Sequence, residues 1–400
     1  MKPKYSALDI ARALRASGVE AHDPTPEQVA IIESMPLGPC VVIAGAGSGK
    51  TETMSARVLW LVANEIVRPD EILGLTFTRK AAGELAARIR IRLRQLRAVG
   101  ALPNDALTGE ALDISVNVAT YHSYAGKVLA EHSIRMGIDT DAQPIGEAAA
   151  WQIAQSVVTN FQETLYPLDS SADSIIGKVM DLSSAMGEHG ATVESVRAYC
   201  QQLLADFSTL SGRPNADVNE AIEVVKERLS ILPMVEAYDK YRVEHGDLTF
   251  SDQMSFAADL VNRFADIGEI ERAKYKVVLL DEYQDTSYSQ VRFLSALFGN
   301  GHAVTAVGDP NQAIYGWRSA SSETLLTFAH HFVGNSGMQC QSFTLLTTWR
   351  NDHDILELAN RTIDEIALHA GRSAKVDRLA LRPGAQQGEL LALHYESMEL

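Results

Sequence analysis

The run AGAGSGKT at 44–51 constrains this 400-residue chain more than any other feature. From Gly45 to Thr51 it satisfies GxxxxGK[ST]. An apolar stretch, 40–43, precedes it, and a helical pattern, ETMSARVLWLV, follows. Strand, glycine-rich turn and helix together are the context in which such a loop binds phosphate. Glycines allow a tight loop whose N–H groups converge on phosphate oxygens, and the helix N-terminus adds partial positive charge. Lys50 would then meet the β- and γ-phosphates, and Thr51 would place its hydroxyl on Mg²⁺. A solvated glycine turn is the plainer alternative.

Other apolar runs stop at Gly, Thr or Asp in the same way: EILGLTF (71–77), VNVATYH (116–122), KVVLLDE (276–282) and AVTAVGD (303–309). Such runs predict buried parallel strands flanked by helices, an α/β fold with function at the strands' carboxyl ends. VVLLDEYQD (277–285) ends one strand in two carboxylates. Asp281 is placed to hold Mg²⁺, and Glu282 to orient and polarise an attacking water. About 230 residues separate this segment from the loop, so an insertion is expected between them.

Residues 147–245 supply it, with helices predicted over 147–160, 172–186, 192–209, 216–231 and 233–245. The chain's net charge is −16, which argues against bulk coating of nucleic acid. Residues 161–250 carry 15 acidic against 7 basic residues, about half of that excess. Residues 79–97 oppose it, with seven basic residues against Glu84 alone. That run is a candidate phosphate track on a helix, although a solvated face is the plainer reading. A loop is expected over 98–115. Cys40, Cys200 and Cys340 lie far apart, which disfavours a disulfide framework. MKPKYSALDI has no apolar signal core, and no run approaches the ~20 residues of a bilayer span. The expectation is a soluble, cytoplasmic protein that does not engage a membrane.

Seven segments, in order from about 24 to 352, together resemble superfamily 1 DNA helicases of the UvrD/Rep/PcrA type. AGAGSGKT is similar to motif I, LGLTFTRKAAGEL (73–85) to motif Ia, and VATYHSYAGKVL (118–129) to the TFHS segment. LTFSDQM (248–254) resembles the segment before motif II, and DEYQD (281–285) motif II itself. VGDPNQAIYGWRSA (307–320) resembles motif III, and LLTTWRND (345–352) motif IV. KTETM, VRPDEILGLTFTRKAAGEL and GDPNQAIYGWR also resemble actinobacterial RecB-like helicase–nuclease subunits, which would imply a second subunit as partner.

The resemblance implies RecA-like cores that clamp ATP·Mg²⁺ and step 3′-to-5′ along single-stranded or partly duplex DNA. The first core would comprise 1–125 and 246–325, the helical insert 126–245, and the start of a second core 326–400. The implied nucleotide set is Gln28, Ala44, Gly45, Ala46, Gly47, Ser48, Gly49, Lys50, Thr51, Glu52 and Arg57. Gln28 would read adenine, but Thr25–Pro26–Glu27–Gln28 also spells a helix capping box. Arg57 would flank the nucleotide or lie on a helix surface. Glu52 stands where these helicases often carry Arg, and Trp349 where Tyr is common.

Catalysis is implied for Lys50, Asp281, Glu282, Gln312 as γ-phosphate sensor and Arg350 as a guanidinium reaching across the cleft. The implied DNA contacts are Thr76, Phe77, Thr78, Arg79, Thr120, His122, Tyr315, Trp317 and Arg318, with aromatic faces stacking on unpaired bases. Later helicase motifs, including a second catalytic Arg, are not found after Asp352. The chain by itself is therefore expected to bind nucleotide but hydrolyse it poorly and not unwind DNA. A P-loop ATPase of another class and a non-catalytic scaffold are the rival readings.

Overall fold

The computed structural model describes residues 3–19, 21–102, 116–137, 145–161, 166–168, 170–209, 215–314, 323–370 and 377–391. The five expected strands form: β1 (Cys40–Ala44), β2 (Ile72–Thr76), β3 (Asn117–Thr120), β4 (Val277–Leu280) and β5 (Val304–Gly308). A sixth, β6 (Gln341–Leu345), joins them in one parallel sheet of order β3-β2-β4-β5-β1-β6. β6 is an edge strand, half exposed, so it lacks the continuous apolar run that marks β1, β2, β4 and β5.

Residues alternate between the two faces of the sheet. Val277 and Leu279 enter one core, with α1 (Ala7–Ala16), α2 (Pro26–Ile32), α3 (Lys50–Ala63) and α4 (Arg79–Ala98). Val278 and Leu280 enter the other, with α5 (Tyr121–His132), which packs there together with the later helices.

The insert holds α6 (Glu147–Asn160), α7 (Ala172–His189), α8 (Val193–Ser208) and α9 (Ala216–His245), around an apolar core of its own. Its two ends meet where Ile145 N donates to Leu248 O at 2.8 Å. Chain return follows through α10 (Phe250–Arg263), α11 (Ala265–Lys274), β4, α12 (Tyr288–Phe298), β5, α13 (Phe328–Val333) and β6. Past β6 come β7 (Thr347–Thr348), α14 (His353–Ala370) and β8 (Ala380–Leu381), with β7 and β8 paired in parallel.

Three expectations need correction. The helices expected over 216–231 and 233–245 are one helix, α9, running through Pro233. Proline removes a helix hydrogen bond, but Leu229, Leu232, Met234 and Val235 are buried on both sides and hold the axis together. The insert does not begin at 126, because α5 to His132 packs in the first core through Tyr124, Val128 and Leu129. The first core does not end at 325, since α13 and β6 complete its layers. The loop expected over 98–115 lies mostly outside the described residues, and α4 extends to Ala98.

Candidate nucleotide site

β1 ends at buried Ala44, and α3 starts at Lys50, so residues 45–49 form the turn. Gly47 and Gly49 have φ of +73° and +86°, values that L side chains rarely adopt. The glycines also make room. A Cβ on Gly47 would lie 2.5 Å from Arg350 Cβ, and one on Gly45 2.1 Å from Leu379 Cδ2. Chain after β6 lies against the loop: Trp349 N donates to Gly47 O at 2.8 Å, and Thr348 Oγ1 to Ala46 O at 2.9 Å. Arg350 is thereby held beside Gly47. Ser48 is buried and its hydroxyl has no partner.

Lys50 Nζ lies 2.9 Å from Glu282 Oε2. This ion pair joins two segments that lie far apart in sequence. Asp281 is only 7% exposed, and its amide donates to Leu75 O. Burial, then the neighbouring Glu282 charge, push its pKa up to about 6, with Lys50 opposing. A carboxylate so deprived of water is stabilised by a cation. Thr51 lies in the first turn of α3, so Thr51 and Asp281 fit a Mg²⁺ that draws its other ligands from phosphate and water. Among the described residues no cluster of three or more His, Cys, Asp or Glu offers an all-protein metal site.

Sequence reasoning missed Gln284. It is buried, and its Nε2 donates to Glu282 Oε2 at 2.9 Å. Its Oε1 accepts from Asp309 N at 3.1 Å. Asp309 Oδ2 in turn accepts from Gln312 Nε2 at 2.6 Å. A continuous polar chain therefore runs from Lys50 through Glu282, Gln284 and Asp309 to Gln312. Glu282 itself has φ +49°, a left-handed conformation uncommon outside glycine. Tyr121 OH donates to Asp281 O at 2.9 Å and helps hold that backbone. The only sequence signal for Gln284 was its place in DEYQD.

On the base side, the capping box forms: Gln28 Oε1 accepts from Thr25 N, and Thr25 Oγ1 from Gln28 N. The amide's acceptor is thus spent on the cap. Nε2 remains, 3.1 Å from where a Cβ on Gly49 would sit. Gln28 also lines a cavity of about 530 Å³ beside Gly49, together with Glu52, Arg92 and Trp349.

Arg57 is neither on the phosphates nor on a helix surface. It is 1% exposed and donates to Ile31 O at 2.6 Å, Ser34 O at 2.8 Å and Ser34 Oγ at 2.7 Å. It therefore closes the end of α2, the helix that carries Gln28. Glu52 does not face the phosphates either, for it pairs with Arg92 at 2.6 Å and Arg88 at 3.5 Å.

The set expected to face DNA divides. Register pairs Thr76 with Thr120, which brings 77–79 and 121–122 together at one sheet end. Thr76 is buried with its hydroxyl unpartnered, so it does not reach a DNA surface as expected. Thr78 and Thr120 cap α4 and α5, accepting from Ala81 N and Ser123 N. Arg79 is exposed, whereas Phe77 and His122 are half-buried. The basic run forms one helix, and Arg88 and Arg92 turn to Glu52. Tyr315, Trp317 and Arg318 lie outside the described residues.

Comparison with known proteins agrees with this geometry. A family model described as UvrD/REP helicase N-terminal domain matches residues 24–333. The chain is 29% identical over 370 residues to the ATP-dependent DNA helicase UvrD2 of Mycobacterium tuberculosis, covering 91% of this chain and 46% of that protein. It is 25% identical over 326 residues to the ATP-dependent DNA helicase PcrA of Bacillus subtilis, covering 82% and 37% respectively. The chain thus spans less than half the length of these relatives. No helix among the described residues is long and apolar enough to cross a membrane. With its family model covering the phosphate loop, the acidic strand end and the polar chain between them, this chain belongs to the UvrD/REP helicase N-terminal domain family.

Proposed function

We propose that the protein is an ATP-dependent DNA helicase or translocase moving 3′-to-5′ on single-stranded DNA in repair or recombination. The polar chain from Lys50 to Gln312 carries this reading, because it ties the phosphate loop to the segment that leads towards Tyr315 and Trp317. In the free site Lys50 neutralises Glu282. An incoming γ-phosphate competes for Lys50 and releases the Glu282 carboxylate towards water. Glu282 then aligns that water, and Gln284 keeps the carboxylate oriented while reporting its position to Asp309 and Gln312. Arg350, held beside Gly47, stabilises charge developing on the transferred phosphoryl group. Mg²⁺ on Thr51 and Asp281 would supply charge neutralisation between phosphate oxygens. Residues after β6 are assigned to the start of a second core.

Glu282→Gln in the complete protein tests the reading. It should abolish DNA-stimulated ATP turnover while nucleotide binding survives. No turnover in wild type or variant would favour the scaffold reading, and turnover indifferent to DNA a P-loop ATPase of another class. A cytoplasmic location and a second helicase–nuclease subunit are finer expectations; the latter rests on the resemblance of three segments, and co-purification tests it.

A further inference from the structure

The cavity beside Gly49 is framed by more than the phosphate loop. Apolar side chains of α1 form one wall, and Gln28, Glu52, Arg92, Trp349 and Arg382 bring polar and aromatic groups to it. Its volume, about 530 Å³, is in the range that holds a base with its sugar. Trp349 is 41% exposed while its backbone is bonded to Gly47, so the indole is anchored beside the phosphate loop without being packed away. Glu52 sits two residues from Lys50, where an unpaired carboxylate would repel a triphosphate. Two arginines of α4 answer it unequally: the Arg88 side chain is 40% exposed, the Arg92 side chain 12%. Arg92 is therefore the one turned into the protein, where it lines the cavity.

We infer that Arg92, tethered by Glu52, is the cationic contact for the nucleotide base in this site, sharing the base with the Trp349 indole. The inference deepens the nucleotide reading above and rests on it. A guanidinium paired with a carboxylate carries little net charge towards phosphate, yet keeps a planar, weakly hydrated face for a heteroaromatic ring. α4 then has two roles. Its outward basic residues remain available to a polyanion, while Arg92 belongs to the base pocket. Discrimination between ATP and bare phosphate would reside partly in a helix outside the phosphate-binding motif.

The test titrates the 400-residue chain, with Mg²⁺ present, against a non-hydrolysable ATP analogue and against inorganic tripolyphosphate. In Arg92→Ala the analogue should bind about tenfold more weakly while tripolyphosphate binds as before. If Arg92→Ala lowers the melting temperature but leaves analogue affinity unchanged, the pair is only a tie between α3 and α4 and the inference falls. Equal weakening of both probes also overturns it, since Arg92 would then be sensing phosphate. Should Arg92→Ala fail to fold, Arg92→Gln, which can still hydrogen-bond Glu52, takes the same two titrations. A wild-type chain that binds neither probe overturns the nucleotide reading itself.

Discussion

Arg57 carries a charge into the first core, and the groups it meets there are carbonyls and a hydroxyl. Burial drives its pKa below the usual arginine value. What it gains is the end of α2: its Nη1 reaches several acceptors at a helix terminus that would otherwise be left unpaired. Arg57→Ala should cost about 2–4 kcal/mol in urea unfolding, through unpaired carbonyls and an emptied volume. Arg57→Met restores volume alone and should recover only part of that loss; full recovery would contradict the hydrogen-bond account. Gln284 behaves differently, because it touches the machinery without being its centre. Gln284→Ala should lower DNA-stimulated kcat about tenfold or more with little change in KM for ATP, since the role proposed for the carboxylate it bonds comes after binding. A change confined to KM would show that Gln284 serves nucleotide binding instead. Neither residue's partners were visible in its local sequence. Arg57 sits on an ordinary helical pattern, and Gln284 owes its role to Asp309, which only folding brings near.

At the scale of elements, α4 shows why a basic run is not a basic surface. Its residues distribute around a helix, and Glu52 of α3 draws Arg88 and Arg92 to one side. Arg79 and Lys80 remain exposed at the helix N-terminus, a position where cations oppose the helix dipole. Placing positive charge there is unfavourable for the helix alone, which fits a site made for a polyanion. Replacing both with Ala should weaken single-stranded DNA binding uniformly across sequences. The slope of log affinity against log salt should drop by about 1.4, as for two phosphate contacts on a single strand. Arg88→Ala should leave that slope in place. An equal effect of Arg88 would place it in the phosphate track as well. Strands tell a similar story. Buried β1, β2, β4 and β5 announced themselves as apolar runs, whereas edge strand β6 did not.

Across the whole molecule, acid stability is a contest. His302 is half-buried just before β5, its ring bonded to Tyr275 O at 2.8 Å, and burial lowers its pKa to about 4. The unfolded chain therefore takes up a proton near the ordinary value of 6.5 that the folded chain refuses until about 4. The stability that neutral His302 contributes is intact above 6.5 and is lost as pH falls through that window. Asp281 and Asp285, both raised to about 6, act with the opposite sign: they add stability at low pH that is lost as pH rises from about 4 to 6. Comparing variant with wild type isolates the imidazole. His302→Gln should gain stability relative to wild type between pH 7 and 5, at up to about 1.4 kcal/mol per pH unit. A parallel shift at all pH values would mean that the ring's packing, not its titration, is what matters.

Local patterns carried a large part of this protein. The glycine-rich loop, the five apolar strands, the acidic strand end and the helical character of the insert are each written in a few neighbouring residues, because turn chemistry and burial period act over short spans. The tertiary structure decided what depends on partners distant in the chain. It paired Lys50 with Glu282, joined Glu282 to Asp309 through Gln284, buried Arg57, set Arg92 at the cavity beside Gly49 and added β6 to the first sheet. Each of those outcomes follows from which side chain reaches which neighbour once the sheet has closed, and spacing along the chain holds no record of that reach.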